Sequence, residues 1–356
     1  PRLWYYSYIP KLKSPLPPQI LRGNAVEDCV SRVLRESPVL ISPDDDNLII
    51  SPLNEDGSVS YDSDSGWIGP KLEPRDPESW PKNRSELEEW ALSRVKAHFD
   101  YCWQNAISDW ESSPNRIGKS EDIETEEGIQ MIQAGIKLHL DQVELCLNQQ
   151  GGPFLESWRS GQYRPEWPSP DGFPKEWESP HPCAQKSGAP ISWVEAWELS
   201  RPWFVDPDAS SFSETTCHPD DWFQGEYDLV YRWNGKIRII DLKASVGRGD
   251  RSGGYIEQLR FYSWLWWETH SRNNEVEGLE IWYLGPGTIK QVPLPSEKEM
   301  SEFNVDLENL YQNLHKNDNI NISDFPAKPS PLRYFDVGGI PSEIAVDPDP
   351  KARCNR

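Results

Sequence analysis

The chain has 356 residues, with 36 Lys and Arg against 58 Asp and Glu, so its formal net charge is −22. This length suffices for one large domain or two smaller ones, and no apolar run approaches the roughly 18 residues that a membrane span requires. Six cysteines, at 29, 102, 146, 183, 217 and 354, fit neither a disulfide framework nor a CxxC zinc site. We therefore expect a cytoplasmic protein without a membrane span.

The charge is unevenly distributed along the chain. Residues 1–36 carry six Lys and Arg against three Asp and Glu, and residues 226–262 carry seven against five. Together these two segments hold +5, so the rest of the chain holds about −27. Two mildly basic segments thus lie within a strongly acidic protein.

The first predicted element is a helix within residues 1–36. One face of this helix carries Ala25, Val26, Cys29, Val30, Val33 and Leu34. Residues 37–84 are rich in Asp, Ser and Pro and predict an acidic loop. Helical patterns follow around residues 85–109 and 122–149, and residues 150–190, rich in Trp, Pro and Gly, predict an irregular loop.

The second half of the chain alternates strand and helix patterns. Residues 192–197 alternate like a strand, and a hairpin and a helix follow between residues 226 and 267. Two further strands are predicted around 278–284 and 288–293, then a helix over about 296–315 and a Pro-rich tail.

The turn of the hairpin predicts which residues of its two strands lie opposite each other. An Asn-Gly pair at 234–235 is the strongest short signal for a type I′ turn. If Trp233 pairs with Lys236, then Asp228 lies directly opposite Asp241 on the neighbouring strand. Directly opposed side chains have Cβ atoms about 4.5–5.5 Å apart, and like charges there are destabilising.

Two carboxylates in this position favour a cation or a shared proton between them. Lys243 lies two residues after Asp241 and therefore points to the same face of the sheet. An Asp, Asp and Lys cluster is typical of a metal-dependent site for phosphodiester cleavage. Asp228 and Asp241 would bind Mg²⁺ or Mn²⁺ through hard oxygen ligands, and the Leu242 carbonyl could add another.

These residues, in this order, resemble the PD-(D/E)XK nucleases. Asp228 is followed by Asp241-Leu-Lys243 on the next strand and by Gln258-x-x-x-Tyr262 on the following helix. Gly225-Glu-Tyr-Asp228 is similar to the Gly-x-x-Asp run that leads into the family's first active-site strand. The resemblance is to the RecB-like exonuclease branch, which includes the nuclease domains of recombination helicase–nucleases and the CRISPR-associated RecB-like exonucleases.

The resemblance extends to the N-terminal helix and implies a fold. Residues 21–30 look like the family's first helix, in which Gly-x-x-x-(His/Glu) supplies a further active-site residue, here Glu27. The implied fold is α/β, with a restriction-endonuclease-like core whose central mixed β-sheet is flanked by helices. Residues 1–36 and 190–320 would form this core. Residues 37–189 would be a large, mostly helical and loop-rich insertion, and residues 321–356 a tail.

The resemblance also implies roles for the remaining candidates. Glu27 would complete the ligand set of the metal or serve a second metal, Lys243 would orient or activate the attacking water, and Gln258 and Tyr262 would organise the site and contact nucleic acid. In the Gly-rich segment between Lys243 and Gln258, Arg248 and Arg251 could bind phosphate. The alternative is that this segment is a plain connector.

The two ends of the chain suggest a further feature of the uncut protein. In the iron–sulfur branch of the family, a Cys precedes an N-terminal Pro-Arg-aromatic run and three more follow the core; here the chain begins Pro-Arg-Leu-Trp and Cys354 lies near its end. A [4Fe–4S] cluster, which needs four thiolates, is therefore expected only in a full-length protein. The alternative is a tail cysteine without a partner.

Three functions follow from the sequence. The leading one is a metal-dependent DNA nuclease, exonucleolytic on single strands or DNA ends, in repair or recombination. A helicase or recombination protein is a candidate partner. The second is a non-catalytic module that binds DNA ends within a repair complex. The third is a nuclease that processes CRISPR spacers.

Overall fold

A computed structural model describes residues 15–41, 61–62, 66–67, 73–161, 180–204, 215–220, 222–245, 252–272 and 276–315. The helices in this part of the chain are α1 (Gln19–Arg35), α2 (Arg84–Ser112), α3 (Thr125–Asn148), α4 (Leu155–Arg159), α5 (Trp193–Ser200), α6 (Ser252–Thr269) and α7 (Glu297–His315). The strands are β1 (Leu40–Ile41), β2 (Tyr61–Asp62), β3 (Gly66–Trp67), β4 (Glu73–Pro74), β5 (Thr215–Cys217), β6 (Gln224–Glu226), β7 (Leu229–Tyr231), β8 (Ile237–Lys243), β9 (Val276–Tyr283) and β10 (Thr288–Val292). None of the described helices is long and apolar enough to cross a membrane.

The central sheet has four strands in the order β10-β9-β8-β7. β8 and β9 are parallel, whereas β7 pairs with β8, and β9 with β10, in antiparallel fashion. Parallel neighbours need a crossover connection, and α6 lies between β8 and β9 in the chain to supply it. A mixed sheet flanked by helices is consistent with a restriction-endonuclease-like core, so the predicted fold class is confirmed.

The register of the β7–β8 hairpin is the predicted one. Leu229 pairs with Ile240 and Val230 with Ile239. One step further along the same antiparallel register, Asp228 comes opposite Asp241. The hairpin therefore brings the two carboxylates together although they are 13 positions apart in the sequence.

The turn of this hairpin differs from the predicted type I′ turn. Gly235 has a φ of 79° and donates its N–H to the Arg232 carbonyl at 2.8 Å, so the central residues of the turn are Trp233 and Asn234. Asn234 is not among the described residues with positive φ, which a type I′ turn requires at both central positions. Its side chain instead accepts the Lys236 N–H at 3.2 Å. The predicted turn type was therefore wrong, although the register counted from Trp233 and Lys236 is the observed one.

Each face of the sheet packs against different helices. Leu229 and Ile240 join the large core that includes residues of α1, α2, α3 and α5. Val230 and Ile239 join a second core that includes residues of α6. Since side chains alternate along a strand, Asp241 and Lys243 lie on the α6 side of the sheet, the same side as Ile239.

The region predicted as a strand at residues 192–197 is the helix α5 instead. Ser192 caps it in a capping box, in which the Ser192 hydroxyl accepts the Glu195 N–H at 3.3 Å and the Glu195 carboxylate accepts the Ser192 N–H at 3.0 Å. The polar-apolar alternation of six residues was misleading, because nearly the whole helix is buried and its polar side chains have buried partners.

Helices α2 and α3, from the region predicted as an insertion, pack directly against α1. At Gly135 of α3 a Cβ would come within 3.1 Å of Val30 Cγ2 on α1, so these two helices approach closely. Arg94 and His98 of α2 both bond to the buried Glu36 that follows α1. These contacts hold α1, which carries Glu27, in a fixed position beside the sheet.

The first prediction concerns the buried carboxylate of α5. Glu195 is 0% exposed and accepts hydrogen bonds from Arg159 Nε at 2.8 Å and Nη2 at 3.1 Å. Glu195→Gln should lower the free energy of unfolding by about 3–5 kcal/mol, because it removes the buried counter-charge of a guanidinium whose side chain is only 3% exposed. Denaturant unfolding would measure this change.

The matched control for this substitution is Glu156→Gln. Glu156 binds the same Arg159, at 3.1 Å, but its side chain is largely exposed. We expect this variant to unfold close to the wild type, because exposed ion pairs contribute little. Equal losses in the two variants would contradict the interpretation.

Candidate active site

The two carboxylates predicted to face each other are held by the ends of two strands. Asp228 precedes β7, and its Oδ2 accepts the backbone N–H of Leu242 at 2.6 Å, which fastens it to β8. Asp241 lies within β8 and is 0% exposed. Burial raises the pKa of Asp241 to about 7, and the nearby Asp228 adds to this effect while Lys243 opposes it.

Lys243 lies beside both carboxylates. Its Nζ donates to Asp241 Oδ1 at 2.7 Å and lies 4.9 Å from the centre of the Tyr255 ring. Burial alone would lower the pKa of Lys243, but Asp241 and Asp228 outweigh it, so the net pKa is raised. The side chain is therefore a positively charged ammonium group at neutral pH.

The N-terminal helix adds Glu27 to this group. Its carboxyl group shares a hydrogen bond with that of Asp228 at the rim of the site. Burial, and after it the charge of Glu27, raises the pKa of Asp228. Burial also raises the pKa of Glu27, although the charge of Lys243 opposes this. The two carboxyl groups therefore favour a proton or a cation between them.

The next residue, Asp28, has a different partner. Its Oδ1 accepts from Arg32 Nε at 2.7 Å, an i,i+4 pair along α1. The structure therefore distinguishes two adjacent acidic residues, and only Glu27 bonds to Asp228.

Helix α6 covers the same face of the sheet with a polar pair. Gln258 Nε2 donates to the Tyr262 hydroxyl at 2.9 Å, one helical turn away. Burial raises the pKa of Tyr262, and the charges of Asp228 and Asp241 also raise it, so the phenol keeps its proton. At Gly225 a Cβ would come within 3.0 Å of the Tyr262 ring, which accounts for a glycine three residues before Asp228.

The oxygen ligands suit a hard divalent cation. Asp241 Oδ2 is buried without a hydrogen-bond partner, and an unpartnered buried carboxylate oxygen is costly unless something neutralises it. Mg²⁺ and Mn²⁺ prefer carboxylate and carbonyl oxygens of this kind. Among the described residues, however, no three His, Cys, Asp or Glu side chains already lie close enough to hold a metal ion.

A cleft of about 280 Å³ opens beside the carboxylates. Glu27, Asp228 and Leu242 lie at one part of its lining, which also contains Asn24, Asp28, Ser31, Arg35, Phe204, Glu226 and Tyr227. Sequence reasoning did not select Asn24, Ser31 and Arg35, although their spacing from Glu27 along a helix indicates one shared side.

Three of the predicted residues lie outside the described part of the chain. Arg248 and Arg251 fall between β8 and the start of α6, and Cys354 falls near the end of the chain. Their roles in phosphate binding and in an iron–sulfur cluster stay predictions.

Comparison with known families agrees with this geometry. A model of the PD-(D/E)XK nuclease superfamily matches residues 191–332, the segment that contains Asp228, Asp241, Lys243, Gln258 and Tyr262. This match points to a metal-dependent nuclease. Glu27 lies outside the matched segment. Comparisons with curated proteins and with solved structures found no match.

The second prediction concerns the stability of the metal-free protein. Because the pKa of Asp241 is raised to about 7, its favourable contribution is present below its unfolded pKa of about 3.9 and is lost as pH rises to about 7. In EDTA, the wild type should therefore lose about 2 kcal/mol of unfolding free energy relative to Asp241→Asn when the pH is raised from 5.5 to 8.

Thermal unfolding at both pH values would test this, with Mn²⁺ added in a parallel series. Mn²⁺ should stabilise the wild type more than Asp241→Asn, because ligand binding to the folded state shifts the equilibrium. A variant that is less stable by the same amount at both pH values would mean that the Asp241–Lys243 bond outweighs the cost of burial.

Proposed function

We propose that this chain is a Mg²⁺- or Mn²⁺-dependent deoxyribonuclease of the RecB-like type, which hydrolyses phosphodiester bonds at single strands or DNA ends. The observation that carries this proposal is the convergence of Asp228, Asp241 and Lys243 at one end of the β7–β8 hairpin. The nuclease superfamily match to residues 191–332 supports the same reaction class.

Asp228, Asp241 and Glu27 are the residues that would hold the cation, with the Leu242 carbonyl as a further ligand. When bound, a divalent cation lowers the pKa of a coordinated water and stabilises negative charge on the phosphate. Burial, and after it the charge of Glu27, raises the pKa of Asp228, and burial together with the charge of Asp228 raises the pKa of Asp241. A cation relieves the repulsion between these charges, so the carboxylates favour its binding.

Lys243 would act as a fixed positive charge. Its raised pKa keeps it protonated at neutral pH, so it donates hydrogen bonds to the attacking water and the phosphate oxygens instead of removing a proton. The nearby Asp241 carboxylate and Tyr255 ring orient its ammonium group. Such a preorganised charge is effective where negative charge develops.

Gln258 and Tyr262 would position the strand on the α6 side of the site. The Gln258 amide donates to the Tyr262 oxygen, which leaves the phenolic proton to be donated to a phosphate or a water. The pair lies on the same face of the sheet as Asp241, and α6 is the element best placed to contact the nucleotide next to the cleaved bond.

The buried carboxylates favour an enzyme over a non-catalytic module that binds DNA ends. Asp241 is fully buried with one unpartnered oxygen, which costs stability in the absence of a cation. A module that only binds DNA has no use for this arrangement. The proposed setting is DNA repair or recombination beside a helicase or recombination partner, and its support is the resemblance of the motif alone.

The third prediction is the direct test of this function. Single-stranded and duplex DNA, labelled at the 5′ or 3′ end, would be incubated with Mg²⁺, Mn²⁺ or EDTA. We expect cleavage only with a divalent cation, and a loss of at least about 100-fold in rate for Lys243→Ala. The product ladder from each label gives the polarity of digestion.

The matched control is Lys236→Ala, in the same hairpin. Lys236 is exposed near the turn, where it pairs with Glu277 at 3.1 Å. The Lys236→Ala variant should cleave DNA at the wild-type rate. DNA binding without cleavage by the wild type in any metal would contradict the proposal and favour the end-binding module.

The fourth prediction separates the two adjacent acids of α1. Glu27→Gln should reduce the cleavage rate by about 10-fold or more and raise the Mn²⁺ concentration needed for half-maximal activity, because it removes a charge next to Asp228. Asp28→Asn removes the same charge from a cleft residue that pairs with Arg32 and not with Asp228, so we expect it to leave the Mn²⁺ requirement nearly unchanged. Equal effects would assign the loss to the overall charge of α1.

A further inference from the structure

We propose that Tyr255 is a positioning residue of the active site, whose ring face holds the Lys243 ammonium group in place for the phosphate. This role rests on the proposed nuclease function and deepens it, because it concerns what keeps the positive charge of the site in position. Tyr255 lies near the start of α6, and Lys243 is the last residue of β8. The two residues therefore meet between the sheet and the helix that packs on it.

The ammonium group of Lys243 contacts both a carboxylate and an aromatic ring. Its Nζ donates to Asp241 Oδ1 at 2.7 Å and lies 4.9 Å from the centre of the Tyr255 ring. A cation is attracted to the face of an aromatic ring within about 6 Å of its centre, and more strongly where water is excluded. The Lys243 side chain is only 20% exposed, so both conditions are met.

The ring restrains a side chain that is flexible by nature. A lysine has four rotatable side-chain bonds, and a single hydrogen bond leaves the rest of the chain free to pivot about the bonded atom. The backbone end is fixed, because the Lys243 carbonyl accepts the N–H groups of Ser245 at 2.8 Å and Leu284 at 3.0 Å. Asp241 and Tyr255 then hold the ammonium end by two separate contacts, which reduces its freedom further.

An aromatic ring can hold this ammonium group without neutralising it. Glu27, Asp228 and Asp241 already surround Lys243 with acidic groups whose charges raise its pKa. A further carboxylate in place of Tyr255 would pair with the ammonium group and would also offer oxygen ligands to a divalent cation. The ring face is electron-rich but carries no net charge. It therefore leaves the positive charge of Lys243 for the phosphate.

Tyr255 belongs to the side of α6 that faces the site. Gln258 and Tyr262 follow it by three and seven positions, the spacing of residues on one side of a helix. The Tyr255 ring is partly buried against the second core, which includes Ile239 of the sheet. This packing limits the motion of the ring, so it can fix the position of another group. The i, i+3, i+7 spacing from Tyr255 was a usable signal in the sequence.

The fifth prediction compares Tyr255→Leu with Tyr255→Phe in cleavage of single-stranded DNA with Mn²⁺. Tyr255→Leu should lower kcat by about 10-fold and leave KM nearly unchanged, because the charge stays in the site but is no longer held in position. Tyr255→Phe keeps the ring face and should cleave at the wild-type rate. Circular dichroism would establish that each variant is folded.

The matched control is Tyr101→Leu, the same substitution at another contact between a cation and a ring. On α2, the Tyr101 ring lies 4.7 Å from the guanidinium carbon of Arg32. We expect this variant to keep the wild-type kcat. Equal losses in Tyr101→Leu and Tyr255→Leu would assign the effect to lost packing and overturn the role of Tyr255.

A graded series separates the charge of the ring face from its shape. Phenylalanine with one, two or three ring fluorines would be introduced at position 255. Each fluorine withdraws electron density from the ring face while the ring keeps nearly the same shape, so kcat should fall stepwise along the series. A constant kcat along the series would overturn the proposal, and so would a loss in Tyr255→Phe as large as that in Tyr255→Leu, because the hydroxyl would then be the acting group.

A spectroscopic measurement tests the contact without any cleavage. Protons above the face of an aromatic ring resonate upfield, so the ε-methylene signal of Lys243 should be shifted upfield in protein with isotope-labelled lysine, kept in EDTA. Its absence in Lys243→Arg would assign the signal. The shift should persist in Tyr255→Phe and disappear in Tyr255→Leu.

The two measurements distinguish failure of this role from failure of the proposed function. An upfield signal with the same kcat in wild type, Tyr255→Phe and Tyr255→Leu would overturn the positioning role while the nuclease stands. A wild type without the upfield signal would overturn the contact itself. No cleavage by the wild type would overturn the proposed function, and the signal in EDTA would still show whether the ring contacts Lys243.

Discussion

The placement of Asp228 opposite Asp241 is the constraint on which the rest of the site depends. The antiparallel register of β7 and β8 forces two carboxylates together, and burial prevents water from separating their charges. Every neighbouring group responds to this: Leu242 donates to Asp228, Lys243 donates to Asp241, and Glu27 shares a hydrogen bond with Asp228. Since one oxygen of Asp241 still lacks a partner, the protein donors do not fully replace a cation.

Helices α2, α3 and α5 stabilise the position of α1 beside this site. α2 and α3 pack on α1 through close contacts such as Gly135 with Val30, and through the buried Glu36 with Arg94. A second buried carboxylate, Glu195, joins α5 to Arg159. Buried ion pairs of this kind add little net stability, but breaking them is costly. They therefore favour one arrangement of the helices, and this arrangement sets the distance from Glu27 to the sheet.

Much of this architecture could be predicted from local patterns. Helical periodicity located α1, α2, α3 and α7, and counting from the turn gave the correct hairpin register even though the turn type differs. The helix α5 was missed because six buried residues carry no reliable period, whereas its Ser192–Glu195 capping box was a usable signal. The contact between Arg35 and Phe204 in the cleft, where the guanidinium carbon lies 4.5 Å from the centre of the ring, could not be predicted. Its two residues are 169 positions apart and meet only through tertiary packing.

The distance in sequence between Glu27 and its partners also determines when the site can exist. Glu27 and Asp228 are about 200 positions apart, and Gln258 and Tyr262 follow later still. Contacts between such distant residues form late, because a long loop must close before they are made. During synthesis, a chain that ends before α6 contains Glu27 without the residues that complete the site. The complete set of side chains can thus come together only after α6 has been synthesised.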